Sequence, residues 1–178
     1  MLVEETNKRF GRDAGQSGFS ILEMLLASAI LLVGIISVVQ LVPASLRLNA
    51  SNRFDTMATV MAQRELDQML SQPLSTNAFL DNDRNVISLG GAGAPGASVL
   101  MNGQTPMIDF SPGAGTPPAG FYLDQTDLSG ATFELRWAVI SQLNPSGKTI
   151  SKRIIIGCRQ TNAMQPMLPV TLDTWVQK

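Results

Sequence analysis

The chain has 178 residues, 13 Lys and Arg against 14 Asp and Glu, no histidine, and one cysteine. That length accommodates about one domain, and the near-neutral charge offers nucleic acid no broad attraction. With no histidine and with Cys158 alone, Ser/His/Asp and Cys/His nucleophilic systems are excluded, as is any zinc site built from His or Cys within the chain. We therefore expect a protein that is not an enzyme, with no cofactor, no metal and no direct nucleic-acid partner.

The chain opens with a hydrophilic stretch, MLVEETNKRFGRDAGQSG, in which Lys8, Arg9 and Arg12 are offset by Glu4, Glu5 and Asp13. The run SGFSILEMLLASAILLVGIISVVQLV follows, Ser17 to Val42, apolar except for a few small polar residues and one acid, Glu23. Residues 24 to 46 form an uncharged stretch of 23 residues. As helix it would rise about 1.5 Å per residue and cross a hydrocarbon core about 30 Å thick. Val42-Pro43-Ala44 offers small residues for an ordinary secretory cleavage, but the apolar core exceeds the roughly 7 to 15 residues of a signal peptide, and an acid lies in its first turn.

Gly18-Phe19-Ser20-Ile21-Leu22-Glu23 and the continuation MLLASAILLVGIISVV resemble the processing site of type IV prepilins and type II secretion pseudopilins. In that family a leader ends in Gly, the next residue is aromatic or Met, and Glu stands fifth after the cut. The resemblance implies cleavage between Gly18 and Phe19 by a membrane-embedded prepilin peptidase, followed by N-methylation of Phe19. It also implies an orientation with the leader cytoplasmic, which suits the three basic residues before the span. Glu23 is then expected to meet the N-terminal amine of a neighbouring subunit. A carboxylate in hydrocarbon costs at least about 2.5 kcal/mol at a helix centre, so it usually marks a partner.

After the span, Pro43 cannot donate to the helix ladder and is expected to kink or loosen it. Phe54, Ala58, Met61, Ala62, Leu66 and Met69 then recur at steps of three and four, the pattern of an amphipathic helix. Arg53, Asp55, Arg64, Glu65 and Asp67 are expected on mostly other faces. The run ATVMAQRELDQMLSQPL is similar to the soluble half-helix of the PilV and pseudopilin I branch of the family, although core packing explains the same pattern.

From Ser71 to about Thr132 the periodicity breaks, and Ser88 to Gly120 holds eight glycines and five prolines. Such composition favours loops, read here as a surface linker or flap, and alternatively as a variable region shaping contacts with other minor pilins, with short strands around Val99-Leu100-Met101 and Met107-Ile108-Asp109-Phe110. DNDRN, Asp81 to Asn85, begins like a calcium loop. Val86 then stands where the turn glycine is needed, and Ala92 where the twelfth-position glutamate is needed, so calcium is not expected. GGAGAPG matches neither a dinucleotide-binding fingerprint nor a phosphate loop.

Phe133, Leu135, Trp137 and Val139 alternate with Glu134, Arg136 and Ala138, giving a strand with one apolar face. Asn144-Pro145-Ser146-Gly147 is a turn signal, and Lys148 to Cys158 returns with Ile150, Ile154 and Ile156 on one face. Val170, Leu172, Thr174 and Val176 offer a third strand after the proline-bounded MQPMLP. Cys158, unable to close an internal disulfide, is expected as a small buried residue.

The expected organisation is a leader, 1–18; an assembly half-helix, 19–45; an amphipathic half-helix, 46–72; a Gly/Pro-rich region, 73–131; and a sheet, 132–178. The fold class is α+β, with a long N-terminal helix packed on a small C-terminal antiparallel sheet. By resemblance the chain is expected to be a minor type IV pilin, and alternatively a minor pseudopilin of type II secretion. Its partners would be the peptidase, other minor and major pilins or pseudopilins, the inner-membrane assembly platform and membrane lipid. It would cross the inner membrane once, with its C-terminal part periplasmic. A reading of another class is an exported binding module or enzyme released after Ala44.

Overall fold

The computed structural model describes residues 18–90, 96–162 and 168–177. The leader up to residue 17, Ala92 of the calcium comparison, most of GGAGAPG and most of MQPMLP lie outside the described residues.

The first element, α1, is a helix over Ile21–Leu70. Ser20 starts it, its carbonyl accepting from the Met24 amide at 3.1 Å. Leu, Ala and Met dominate the run, and these residues lose little on entering a helix. Pro43 lies inside α1 and does not end it. The hydroxyls of Ser28, Ser37 and Ser45 donate to the carbonyls of Met24, Val33 and Val42 at 2.7, 2.8 and 2.9 Å. These three hydroxyls are therefore satisfied within the helix itself. It is the one helix among the described residues long and apolar enough to cross a membrane.

Contacts divide the chain into two units, Met1–Leu46 and Arg47–Lys178. In the described part of the first, no residue is buried. The second holds the core. Its sheet has four antiparallel strands in sequence order, β5 Tyr122–Thr126, β6 Thr132–Leu143, β7 Thr149–Gln160 and β8 Val170–Gln177. Two small hairpins precede it: β1 Ala78–Leu80 with β2 Val86–Ser88, and β3 Val99–Asn102 with β4 Thr105–Ile108. The β6–β7 turn closes as NPSG suggests. The Asn144 carbonyl accepts from Gly147 N at 2.9 Å, and its side-chain oxygen takes Lys148 N at 2.8 Å.

Ala58, Ala62, Leu66 and Met69 of α1 form one core with Phe133, Leu135, Trp137, Val139, Ile154, Ile156 and Cys158 of the sheet. Phe54 and Met61 pack at its margin. Trp137 is fully buried, and its indole donates to Ser88 O at 2.8 Å, joining β6 to the end of β2. This is the arrangement expected from the apolar alternation, a helix face laid against one sheet face.

Three features depart from the sequence reading. Ile150, grouped there with Ile154 and Ile156, is half exposed, because a register shift at Gln142/Leu143 releases the end of the hairpin. Glu65, expected outside, is completely buried. The sheet's second face is also covered in part: Ala97, Ile108 and Phe110 form a separate core with Ala138 and Ile155. Gly157 permits that approach, since a Cβ there would lie 2.8 Å from Ile108 Cβ and Phe110. Much of the Gly/Pro-rich region is thus a cover for the sheet.

Candidate functional site

The residues singled out by the sequence lie at the start of α1. Gly18, Phe19 and Ser20 precede the helix in irregular backbone, and Glu23 stands in its first turn. The Ser20 hydroxyl accepts from the Leu22 amide at 3.3 Å. Phe19 is 77% exposed, Leu22 76% and Met24 64%, so an acid sits in an apolar surface covered by no part of the described chain. Among the described residues Glu23 makes no ion pair. An acid near the positive end of a helix is favourable there by about 0.3–1 kcal/mol, far less than the cost of holding it unpaired in hydrocarbon. The arrangement can offer one carboxylate to one cation, presented from an apolar cylinder.

A second group of acids lies in the Arg47–Lys178 unit. Carboxylate oxygens of Glu65, Asp81 and Asp83 come within 4.8 Å of one another. Donors already occupy them. The Arg64 guanidinium reaches Glu65 at 3.0 Å and Asp83 at 2.6 Å, and Gln125 donates to Glu65 at 3.2 Å. Asp81 accepts from the amides of Asp83 and Asn85 at 2.9 and 2.6 Å and from the Asn85 side chain at 2.9 Å. DNDRN is therefore the tight loop of the β1–β2 hairpin, held by its own aspartate, with Arg84 in the left-handed region at φ 64°. Glu65 ties α1 to β5.

Two buried titratable groups flank the core. Burial pushes the Cys158 thiol up to about 12, so it stays protonated and unreactive at neutral pH. Lys152 is also buried; its ammonium donates to Thr76 O at 2.6 Å, and desolvation lowers its pKa.

On the second sheet face, Glu134 pairs with Arg136 at 2.6 Å and with Arg159 at 2.9 Å, and both guanidiniums lie over the Phe110 ring. Arg136 and Arg159 also donate to the carbonyls of Gly115 and Phe110 at 3.1 and 2.8 Å. These groups pin the flap to the sheet. Sequence reasoning missed them, although Glu134 and Arg136 sit two apart on one strand face.

Comparison of the chain with protein-family models, with curated proteins and with solved structures finds no match.

Proposed function

We propose that the chain is a minor pilin, a structural subunit that helps prime or cap a type IV pilus after cleavage at Gly18-Phe19 and methylation of the new amine. The observation that carries this reading is the placement of Glu23: the only charge in the first turn of a helix whose next 23 residues are uncharged, five places from the glycine of the cut. Cleavage would create an amine on Phe19, and subunits entering side by side would each offer a cation to a carboxylate. That attraction grows as the dielectric falls. The same pairing would set the axial register of one subunit against the next.

The helix-on-sheet unit agrees with such a role, because its interior is filled by side chains and its buried charged groups are hydrogen-bonded to amides, carbonyls or guanidinium groups. By this reading the first half of α1 spans the inner membrane before assembly, with the leader cytoplasmic and the sheet periplasmic. The peptidase, the assembly platform, lipid and the other pilins are then the partners. A minor pseudopilin of type II secretion would use the same chemistry. Release after Ala44 fits less well, since Val42 to Ala44 lie inside α1.

The deciding experiment is the intact mass and N-terminal sequence of the processed protein. A start at N-methyl-Phe19 is expected. A start at Ser45, or an unprocessed chain in a host with the peptidase, overturns the proposal.

A further inference from the structure

The two most exposed large apolar side chains among the described residues are Leu128, 109% exposed, and Leu168, 88%. They lie at one end of the four-stranded sheet. Leu128 occupies the β5–β6 turn, and Leu168 lies just before β8. Asn162 links the end of β7 to that turn, accepting from Thr132 N at 2.9 Å and donating to Gly130 O at 3.0 Å.

The turn is built to hold an apolar tip outward without leaving its polar groups free. Asp127 N donates to Ala131 O at 2.9 Å, and Gly130 N to Asp127 O at 3.1 Å. The Asp127 carboxylate accepts from Ser129 N and Ala131 N at 2.8 and 2.9 Å and from the Ser129 hydroxyl at 2.6 Å. Gly130 supplies the left-handed residue, φ 82°. A turn so satisfied loses less on leaving bulk water than one with open donors.

This end of the sheet is also where the chain enters the unit. Phe54, Met57 and Ala58 share a core with Ala131 and Phe133, and the Asp127 carboxyl, held below its ordinary range chiefly by its Ser129 hydrogen bond and the Ala131 and Ser129 amides, also feels the Arg53 charge. The uncharged run ends at Leu46, directly before Arg47. Arg47 to Arg53 rises only about 10 Å as helix, so this end is tethered close to any bilayer that holds the run. The opposite end, the Asn144–Gly147 turn, is a 12-residue strand away, about 40 Å.

We propose that this end of the sheet rests on the bilayer surface before assembly, with Leu128 and Leu168 dipping into the lipid interface. The inference rests on the reading that residues 24–46 span a membrane, and its test separates the two. The full chain is reconstituted into phosphatidylethanolamine and phosphatidylglycerol vesicles, with an environment-sensitive fluorophore on a single introduced cysteine. Buried Cys158 stays unlabelled. Positions are Leu128→Cys, Leu168→Cys, Ser146→Cys at the far turn and Leu32→Cys in the apolar run.

With shallow nitroxide lipids we expect the Leu128 and Leu168 labels to lose about half their emission, matching insertion of about 5–10 Å, and the Ser146 label to lose none. Quenching at Leu32 but at neither Leu128 nor Leu168 overturns this inference alone. Absence of quenching at Leu32 overturns the membrane reading with it. A blue shift at Leu128 that follows protein density and not nitroxide content assigns the tip to another copy of the chain and also overturns the proposal.

Discussion

The two halves of α1 share one backbone conformation and differ in what covers them. Residues 21–46 are apolar on every side and none is buried. Residues 47–70 are mixed, and Ala58, Ala62, Glu65, Leu66 and Met69 are buried against the sheet and its loops. A helix that is apolar all round needs an apolar medium, whereas one with a stripe needs a partner face. The same chemical group therefore stands in different settings in each half: Glu23 makes no ion pair among the described residues, while Glu65 is an acid whose cation and amides are already in place.

The comparison breaks most forcefully at the core. Trp137→Ala should destabilise the helix-on-sheet unit by about 3–5 kcal/mol, through a large cavity and the loss of the bond to Ser88. Leu32→Ala in the first half should change the same unfolding midpoint by under about 0.5 kcal/mol. Denaturant unfolding in detergent, followed by tryptophan emission, reads both. Equal effects would mean that the two halves of α1 unfold as one packed body.

The two acids give the next contrast. Glu65→Ala should cost about 1–3 kcal/mol, since Gln125 and Gln68 lose an acceptor while half-exposed Arg64 can turn to water and keep Asp83. Glu23→Ala should leave thermal unfolding and cleavage unchanged but lower incorporation into a filament. Copurification with other pilins at the wild-type level would remove the role proposed for Glu23.

On the sheet's second face, Gly157→Ala should cost about 1–3 kcal/mol by pressing on Ile108 and Phe110. Accelerated proteolysis between residues 97 and 120 is the expected sign that the flap has lifted. Wild-type cleavage rates would mean that the flap can shift without losing its seat.

The last contrast is confined to alkaline pH. The Cys158 thiol is raised from 9.0 to about 12 in the fold, so its contribution is complete below 9.0 and is lost as pH climbs toward 12. Lys152 acts in the opposite sense. Its folded pKa lies below 10.5, so its desolvation penalty is full below that folded value and fades as pH rises to 10.5. Cys158→Ala should flatten the loss above pH 9.0, and Lys152→Met should abolish the gain below pH 10.5, both read from unfolding midpoints against pH. The native thiol should resist alkylation at neutral pH until the unit unfolds.

Much of the helix face could be read from residue spacing, because burial repeats every three or four positions and the core residues obey that rule. Glu65 escaped through its charge alone. It stands four residues from both Met61 and Met69, on the same line, and only the nearness of Arg64 and Gln125 makes that position tolerable. The β6–β7 hairpin was readable from period-two alternation and an Asn/Gly turn. Its outer face was not, because Ala138 and Ile155 alternate with the core residues and only a cover from elsewhere makes them interior. The strands β1 to β5 are three to five residues long, too short for a period to stand out from a Gly/Pro-rich background.

Covalent order alone settles that 23 uncharged residues follow Glu23 and that this acid lies five places from Gly18. Such features act through length and local chemistry, for which neighbours in the chain suffice. The pairing of Glu65 with β5, the seating of the flap on Gly157 and the presentation of Leu128 beside the entry of α1 depend on residues tens of positions apart. Those were decided by which surfaces meet, because burial, desolvation and contact distance belong to the packed chain and not to any one segment of it.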